Sequence, residues 1–398
     1  MGDRLRVGFA SVEDAASVRS WSGIPAHILA MLREAPSLEV ELISPLGQRL
    51  KWFYAPRHWM AKQMGEHFDW KRESWSLRHF AAEVERNFYA KKLDVIFSTS
   101  SIPGTRLKAE IPLVFWTDAS FHGMRGYYRS NHSARSARAA EMQEERALRG
   151  ARFACYASEW AAAEARKRTM PERVKVLPLG PNLPVRHSRE DVEEWIRERA
   201  RHTATKCTLL LVGVDWKRKG VDIAVEAARQ MNEAGIATTL RIVGCTPPRE
   251  SRTLPPFVEV LGFVNKRDPE GCRELLELYR TSDLFVLPSR AEAFGVVVAE
   301  AAAFGLPALV SRTGGLTETV REGETGFLLP MEDDGKVFAE QAQKILRDYE
   351  RFARNAYAEF ATRMNWQTSV NRLVGLLHEA AGRNDEVDRQ ETTERMRS

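Results

Sequence analysis

The chain has 398 residues, 43% hydrophobic and 28% charged, as in a folded soluble protein, and this length is long for one domain, so two are expected. No run of about 18 apolar residues occurs, which excludes a membrane-spanning helix, and the start, MGDRLRVGFA, enters a strand without the apolar core of a secretion signal. A net charge of +5 biases the chain mildly toward anionic partners with no nucleic-acid motif beside it, and four scattered cysteines without a C-x-x-C pair suggest free thiols in a reduced cytoplasm rather than zinc or disulfides.

Arg4–Ala10 is apolar and β-prone, a first strand of a parallel sheet. Trp21-Ser22-Gly23-Ile24-Pro25-Ala26-His27 follows and leads into an apolar-periodic helix through Leu32. Strand, glycine turn and helix make the layout of a phosphate-facing loop, and equally of a plain βα turn. Leu38–Ile43 is the second strand. Residues 49–92 are unusual, because Trp52, Trp59, Trp70 and Trp75 interleave with Lys and Arg. Helices that pack these aromatics inward and solvate their basic faces are the favoured reading, and a pocket for a bulky acceptor is another. Asp94–Ser98 and Leu113–Trp116 read as buried strands, the second running into Thr117-Asp118-Ala119-Ser120-Phe121-His122. Loops at the carboxyl ends of parallel strands make the site in α/β sheets. Arg125–Arg152 is an Arg-rich helical stretch, Phe153–Tyr156 a short strand, Ser158-Glu159 a helix cap, and Val174–Leu179 the last strand of the first sheet. The charged stretch 184–205 lacks a strand pattern and is expected to hold the domain boundary.

Cys207–Gly213 opens a second sheet, followed by VDWKRKG (214–220) and a helix carrying Ile223, Ala224 and Ala227. Thr239–Val243 with Gly244, and Val258–Val264, are further strands, and Leu275–Tyr279 is helical. The next stretch, TSDLFVLPSRAEAFGVVVAEAAAFGLPALVSRTGGLTETVREGETGFLLP, is the most informative. It reads as a strand (Leu284–Leu287), a loop (Pro288–Gly295), a helix from Val296, a strand (Pro307–Val310) and a turn at Gly314 and Gly315. Glu292 and Glu300 are eight positions apart. On one helix face they would stand roughly 12 Å apart at about 1.5 Å per residue. That exceeds the roughly 5–9.5 Å of a two-carboxylate hydrolase and suits two contacts on one long ligand. Gly295 admits close backbone approach, and the helix start after it favours phosphate. Hydroxyl-rich ends with a phosphate middle describe a nucleotide sugar; an ordinary strand–loop–helix with surface glutamates is the alternative. After Pro330 helices run to about Ala381, broken at Met364-Asn365-Trp366, and the polar tail from Gly382 is expected to be disordered.

E-A-F-G-V-V-V-A-E, followed by A-x-x-x-G-L-P-A-L-V and G-G, resembles the donor site of retaining glycosyltransferase family 4, the glycosyl transferases group 1. The resemblance covers most of residues 1–380, specific over 281–330, good over 207–220 and weak over 40–110. It implies the GT-B architecture, an α/β fold of two doubly wound Rossmann-like domains facing a cleft. Residues 1–185 would form the acceptor-side domain, 205–362 the nucleotide-sugar domain, and 363–381 a helix packing back on the first, with 382–398 as the tail. Carried over, Glu292 lies by the transferred hexose and Glu300 on the ribose hydroxyls, while Ala293, Phe294, Gly295 and Val296 meet the sugar and diphosphate. S-G-I-P-x-H resembles the first donor-facing loop, which gives Gly23 a role. The family sets a basic pair against the diphosphate, just after the strand glycine, here Gly213, and before the helix. Lys219 matches the second member. Val214 stands at the first, so Arg218 or Lys217 would supply that charge. Gly244 and Val264 fall where the family holds the base and nucleoside. Many members have a His near the sugar; here Asp118 takes that position, with His122 four further on. Asp118 is the favoured sugar-hydroxyl acceptor, His122 the second choice, and a helix-capping Asp118 the alternative.

The implied reaction is retaining transfer of a hexosyl unit from a UDP- or GDP-hexose to an acceptor hydroxyl, by front-face displacement. No D-x-D stands at a strand end, so no metal is expected and protein cations would neutralise the leaving group. Cell-envelope polysaccharide or glycolipid is the commonest acceptor of such families, and a small molecule is the other option. Some members turn a basic surface of the first domain to a membrane, so the resemblance makes a cytoplasmic protein with peripheral contact through 49–92 one reading of that stretch. A non-catalytic GT-B partner subunit, a phosphorylase, and a sugar-nucleotide epimerase of the same fold are the competing functions.

Overall fold

The computed structural model describes residues 4–17, 20–64, 68–127, 134–248 and 254–383. The chain forms two compact units, Met1–Pro178 with Trp366–Ser398, and Leu179–Asn365.

The first unit is built on a parallel sheet of β1 (Leu5–Ala10), β2 (Leu38–Ile43), β3 (Val95–Ser98), β4 (Leu113–Thr117), β5 (Phe153–Tyr156) and β6 (Val174–Val176), in the order β2-β1-β3-β4-β5-β6. β1 and β2 pair from Leu5 opposite Leu38 to Ala10 opposite Ile43. Helices cover the faces, so central strands such as VIFS and LVFW are continuous apolar runs rather than alternating ones. The connections hold α1 (Ile24–Glu34), α2 (Leu50–Phe53), α3 (Ala55–Gln63), α4 (Ser74–Ala90), α5 (Phe121–Met124), α6 (Ala134–Gly150) and α7 (Glu159–Arg166). Ser158 caps α7 by accepting the Ala161 N–H at 3.2 Å, as its Ser-Glu signature predicts.

The expected inward packing of residues 49–92 fails for three of its four tryptophans, Trp75 being 46% exposed. Trp70 packs on Tyr54 and Phe80, but Trp52 is 81% exposed and Trp59 63%, and α3 has no buried residue. Trp59, Met60 and Ala61 are consecutive, so at about 100° per residue they spread around α3 and leave it no apolar face to bury.

The second unit contains α8 (Arg189–Ala200), β7 (Lys206–Val212), α9 (Val221–Glu233), β8 (Ala237–Val243), β9 (Val258–Gly262), α10 (Pro269–Arg280), β10 (Leu284–Leu287), α11 (Val296–Ala303), β11 (Ala308–Ser311), β12 (Gly326–Leu329), α12 (Lys336–Arg347) and α13 (Tyr349–Thr362). Its parallel sheet runs β12-β11-β10-β7-β8-β9. The charged stretch 184–205 is not a linker. It forms α8, which starts on a Ser188–Asp191 capping box and buries Val192 and Ile196 in this unit's core. Arg199 is buried as well, donating to Ser282 O at 3.2 Å and Phe304 O at 2.7 Å. Val192, Trp195 and Ile196 at i, i+3 and i+4 and the capping box signal the helix, and the surrounding charges hide it.

The chain then returns. α14 (Trp366–Ala380) belongs to the first unit, packing on α1, β3 and β4 and burying Val370, Leu373 and Leu377. The Ser369 hydroxyl donates to Pro178 O at 2.6 Å, and Trp366 stacks on His27. The tail expected to be disordered lies outside the described residues from 384 onward. Among the described residues no helix is long and apolar enough to cross a membrane.

Candidate functional site

In the second sheet the strand order reverses direction between β7 and β10, and ligands of open parallel sheets bind at the carboxyl ends on either side of such a point. Two loops leave there, 213–220 after β7 and 288–295 after β10. Glycines weld them. Gly220 has φ 66°, and a Cβ on it would stand 2.0 Å from Pro288 O; the Arg290 N–H donates to Arg218 O at 2.7 Å. Arg290 also grips Asp222 with both guanidinium nitrogens, at 3.0 and 2.7 Å. Each loop enters a helix through a left-handed glycine, Gly220 into α9 and Gly295 into α11, a conformation that side chains avoid.

Three charged groups meet in this corner. Glu292 Oε2 accepts from Arg218 Nη1 at 3.3 Å and from Lys219 Nζ. Lys219 is buried, its stem laid over Gly213, where a Cβ would come within 2.7 Å of Lys219 Cγ. Arg218 is fixed by its N–H to Asp215 Oδ1 at 2.9 Å and by its guanidinium to Ala291 O at 3.1 Å. Arg218 and Lys219 are therefore brought together, whereas Val214 is 69% exposed. Glu292 lies in the loop and not on α11, so the shared helix face with Glu300 and the spacing worked from it do not exist. Gly315 shows why two glycines follow β11: its N–H donates to Glu292 O at 3.1 Å, and a Cβ would meet Ala293 O at 2.0 Å.

Glu300 sits on α11, 2% exposed. Its Oε2 accepts the Tyr279 hydroxyl at 2.8 Å, its Oε1 the Asn182 N–H at 3.2 Å, and Lys266 Nζ lies 3.7 Å from Oε1. Tyr279 is itself buried, and burial together with the neighbouring Glu300 charge pushes its phenol well above the usual range. A hydroxyl given to a buried carboxylate contributes roughly 1.5–3 kcal/mol. Tyr279 was legible only as a helix residue, although a buried tyrosine must find a partner for its hydroxyl. Ala293 and Phe294 are buried and offer backbone alone, while Val296 opens α11 half-exposed. Gly244 (φ 88°) lies against Gly213, with room for no side chain: a Cβ would meet Gly213 O at 2.3 Å. β9 ends at Gly262, so Val264 is in the loop and packs partly on the core.

In the first unit a cavity of about 580 Å³ lies at the carboxyl ends of β3 and β4, lined among others by Arg72, Ser100, Ser101, Thr117, Asp118 and Glu144. Asp118 Oδ2 accepts the Trp21 indole N–H at 3.3 Å. Trp21 has φ 41°, a left-handed conformation that costs a non-glycine residue about 1–3 kcal/mol. Two residues on, Gly23 has φ 89° and leads into α1. Glu144, buried on α6, accepts the Phe121 N–H at 2.9 Å and the His122 N–H at 3.4 Å. Burial pushes its carboxyl pKa above the usual range, against the lowering effect of those N–H groups and of Arg72. The Arg72 guanidinium rests 4.6 Å above the Phe121 ring. Ser120, not Asp118, caps α5, accepting the Gly123 N–H at 3.0 Å. The His122 imidazole is turned to Glu141 and Glu164, at 3.4 and 3.8 Å.

Residues 206–348 match the model of a family described as Glycosyl transferases group 1. The D-inositol 3-phosphate glycosyltransferase of Acidothermus cellulolyticus is 31% identical over 222 residues, 53% of this chain and 49% of that protein. The enzyme of that name from Corynebacterium efficiens is 33% identical over 172 residues, 41% of this chain and 40% of that protein. The chain thus spans about half the length, or less, of these relatives. Sucrose-phosphate synthase from Thermosynechococcus elongatus superposes with a TM-score of 0.67 at 19% identity, covering 94% of this chain and 99% of that one. Anabaena Alr3699/HepE, solved in complex with UDP, superposes at 0.61 and 18% identity, covering 94% of this chain and all of that one. The fold is the two-domain α/β GT-B fold.

Proposed function

We propose that the protein is a retaining glycosyltransferase that moves a hexosyl unit from a nucleoside-diphosphate sugar to an acceptor hydroxyl. The observation that carries this reading is the meeting of Arg218 and Lys219 on Glu292, beside two helix starts entered through left-handed glycines. Cations and helix N-termini stabilise the charge left on a departing diphosphate. In this reading the diphosphate takes the two cations from Glu292, which is released toward the transferred hexose. Glu300, already oriented by Tyr279 and Asn182, accepts the ribose hydroxyls. Protein cations supply the positive charge, so we propose a metal-independent reaction. Asp118 accepts a sugar hydroxyl at the first unit's own cavity. The acceptor is an envelope polysaccharide or glycolipid, or a small polyol of the kind named for the inositol-phosphate relatives. The test is a thermal-shift panel with UDP, GDP, ADP and their hexose conjugates, with and without EDTA. One nucleotide set should raise the melting temperature regardless of EDTA; no shift with any would overturn the reading.

We further infer that α2 and α3 rest on an anionic membrane surface from the cytoplasmic side. Trp52, Phe53, Trp59, Met60 and Met64 are exposed, and residues 49–64 hold Arg49, Lys51, Arg57 and Lys62 with no acidic residue. Exposed aromatics among basic residues suit the headgroup layer of anionic lipid, each cation adding about 1 kcal/mol. A second copy of the same face would bring like charges together. The protein should sediment with vesicles containing phosphatidylglycerol, less so in high salt, and Trp52→Ser with Trp59→Ser should weaken this at least about tenfold. A wild-type protein left in the supernatant with these vesicles refutes the inference.

A further inference from the structure

The loop after β4 is held from both sides by side chains of other elements. At its start, the indole of Trp21 reaches the Asp118 carboxylate from the loop before α1. At its end, Glu144 of α6 takes the N–H groups of Phe121 and His122, and Arg72 covers the Phe121 ring. Gln143 Nε2 ties Arg72 in turn, donating to its carbonyl at 2.9 Å. Trp21 makes its contact from a left-handed backbone that almost every other non-glycine residue of the chain avoids: among the described residues only Lys92 shares it. Strain of that kind persists where the surroundings over-determine it and where a group must be aimed.

We propose that Trp21 is a positioning residue for Asp118, its indole N–H holding Oδ2 so that Oδ1, which also accepts from the neighbouring Thr117 hydroxyl at 3.5 Å, is aimed into the cavity that Thr117 and Asp118 line, with Glu144 fixing the far end of the same loop. This rests on the reading of Asp118 as the sugar-hydroxyl acceptor. It also accounts for the residue type. An imidazole is oriented by a partner on its second nitrogen, whereas a carboxylate turns about two single bonds and needs a donor on one oxygen to fix the other. A tryptophan N–H donates only, so it can hold a carboxylate without competing for the substrate proton. The indole is half-buried, large enough to keep its place by packing while it donates.

The test uses the full chain with Trp21→Phe, Asp118→Asn and the double variant. Phenylalanine keeps the ring and removes only the donor. Release of nucleotide from UDP-glucose, GDP-mannose and ADP-glucose is measured, together with nucleotide affinity by calorimetry. Trp21→Phe should keep the nucleotide affinity and the donor KM and lower kcat about tenfold or more, as expected when a reacting group is misplaced. The double variant should be no slower than Asp118→Asn alone, because a residue acting through another adds no second loss. The indole N–H resonance that Trp21→Phe removes from the ¹H–¹⁵N spectrum should move in Asp118→Asn. Full-rate turnover by Trp21→Phe, multiplied losses in the double variant, or an unmoved resonance overturns the proposal. A wild-type protein that turns over none of the three donors removes the role assigned to Asp118, and the resonance then decides by itself whether the clamp exists.

Discussion

Replacing Glu292 by Gln tests whether this carboxylate stands in for the phosphates. The change keeps the side-chain shape and removes the charge that Arg218 and Lys219 share. At 3.3 Å and an effective dielectric of about 20, Arg218 and Glu292 attract by about 5 kcal/mol. Desolvation cancels part of that, yet removing one partner of a mostly buried pair still costs about 3 kcal/mol, because the other charge stays buried and unpaired. Lys219 is the group left in that condition, with 7% of its side chain exposed. For a unit of this size each kcal/mol moves the midpoint by about 2–4 °C, so Glu292→Gln should melt about 6–12 °C below the wild type in a buffer free of phosphate. Added pyrophosphate should restore most of that loss, and its affinity should rise about tenfold or more as its internal competitor is gone, while sugar transfer falls. Differential scanning calorimetry and titration with pyrophosphate measure both quantities. An unchanged midpoint with weaker pyrophosphate binding would refute the argument, since the cations would then owe nothing to Glu292.

Two further outcomes follow from neighbouring contacts. Tyr279→Phe removes the hydroxyl that Glu300 accepts at 2.8 Å; it should cost about 2 kcal/mol of stability and weaken nucleoside diphosphate about tenfold with no change for pyrophosphate, and equal losses for both ligands would count against Glu300 reaching the ribose. His187 packs on Phe304 and Trp195, and burial holds its pKa below the usual 6.5, so its neutral form belongs to the fold. The stability it contributes is full above about pH 6.5 and is lost as pH falls from there toward its lower folded-state value. Urea midpoints should drop between pH 7.5 and 5 in the wild type and drop less in His187→Phe, which keeps the ring packing; parallel curves would exclude His187 as the source.

The doubly wound architecture could be read from strands that are apolar throughout, and β10 and the start of α11 fall where Leu284–Leu287 and Val296 place them. Gly220, Gly295 and Gly315 were legible too, since Gly220 and Gly315 meet backbone that tolerates no side chain and Gly295, with φ 88°, takes a conformation that side chains avoid. What stayed hidden depends on distant partners. α8 buries two apolar residues of twelve, and its charges mask them. The contacts of Trp21 with Asp118 and of Glu144 with Phe121 join residues 97 and 23 positions apart. Glu292 falls in the loop Pro288–Gly295 as the sequence reads it, but its ion pair with Arg218 and Lys219 joins residues more than seventy positions apart. Trp52 and Trp59 looked like core residues because aromatic side chains usually are; for Trp59 the absence of an apolar face on α3 is what distinguishes it.

The return of α14 to the first unit has a consequence for how the protein is made. The ribosome delivers residues 4–178 before the second unit, yet Trp366, Val370, Leu373 and Leu377, which cover part of β3, β4 and α1, emerge only after that unit has been made. The second unit, continuous in sequence, can close on itself while its elder waits with a hydrophobic flank uncovered. A nascent chain of this kind needs a stretch made after the second unit to finish the domain that was begun before it. Premature termination anywhere before α14 would therefore release a protein that is half mature and half adhesive, and anyone exchanging the N-terminal unit with that of another protein must graft two separate stretches as a single piece.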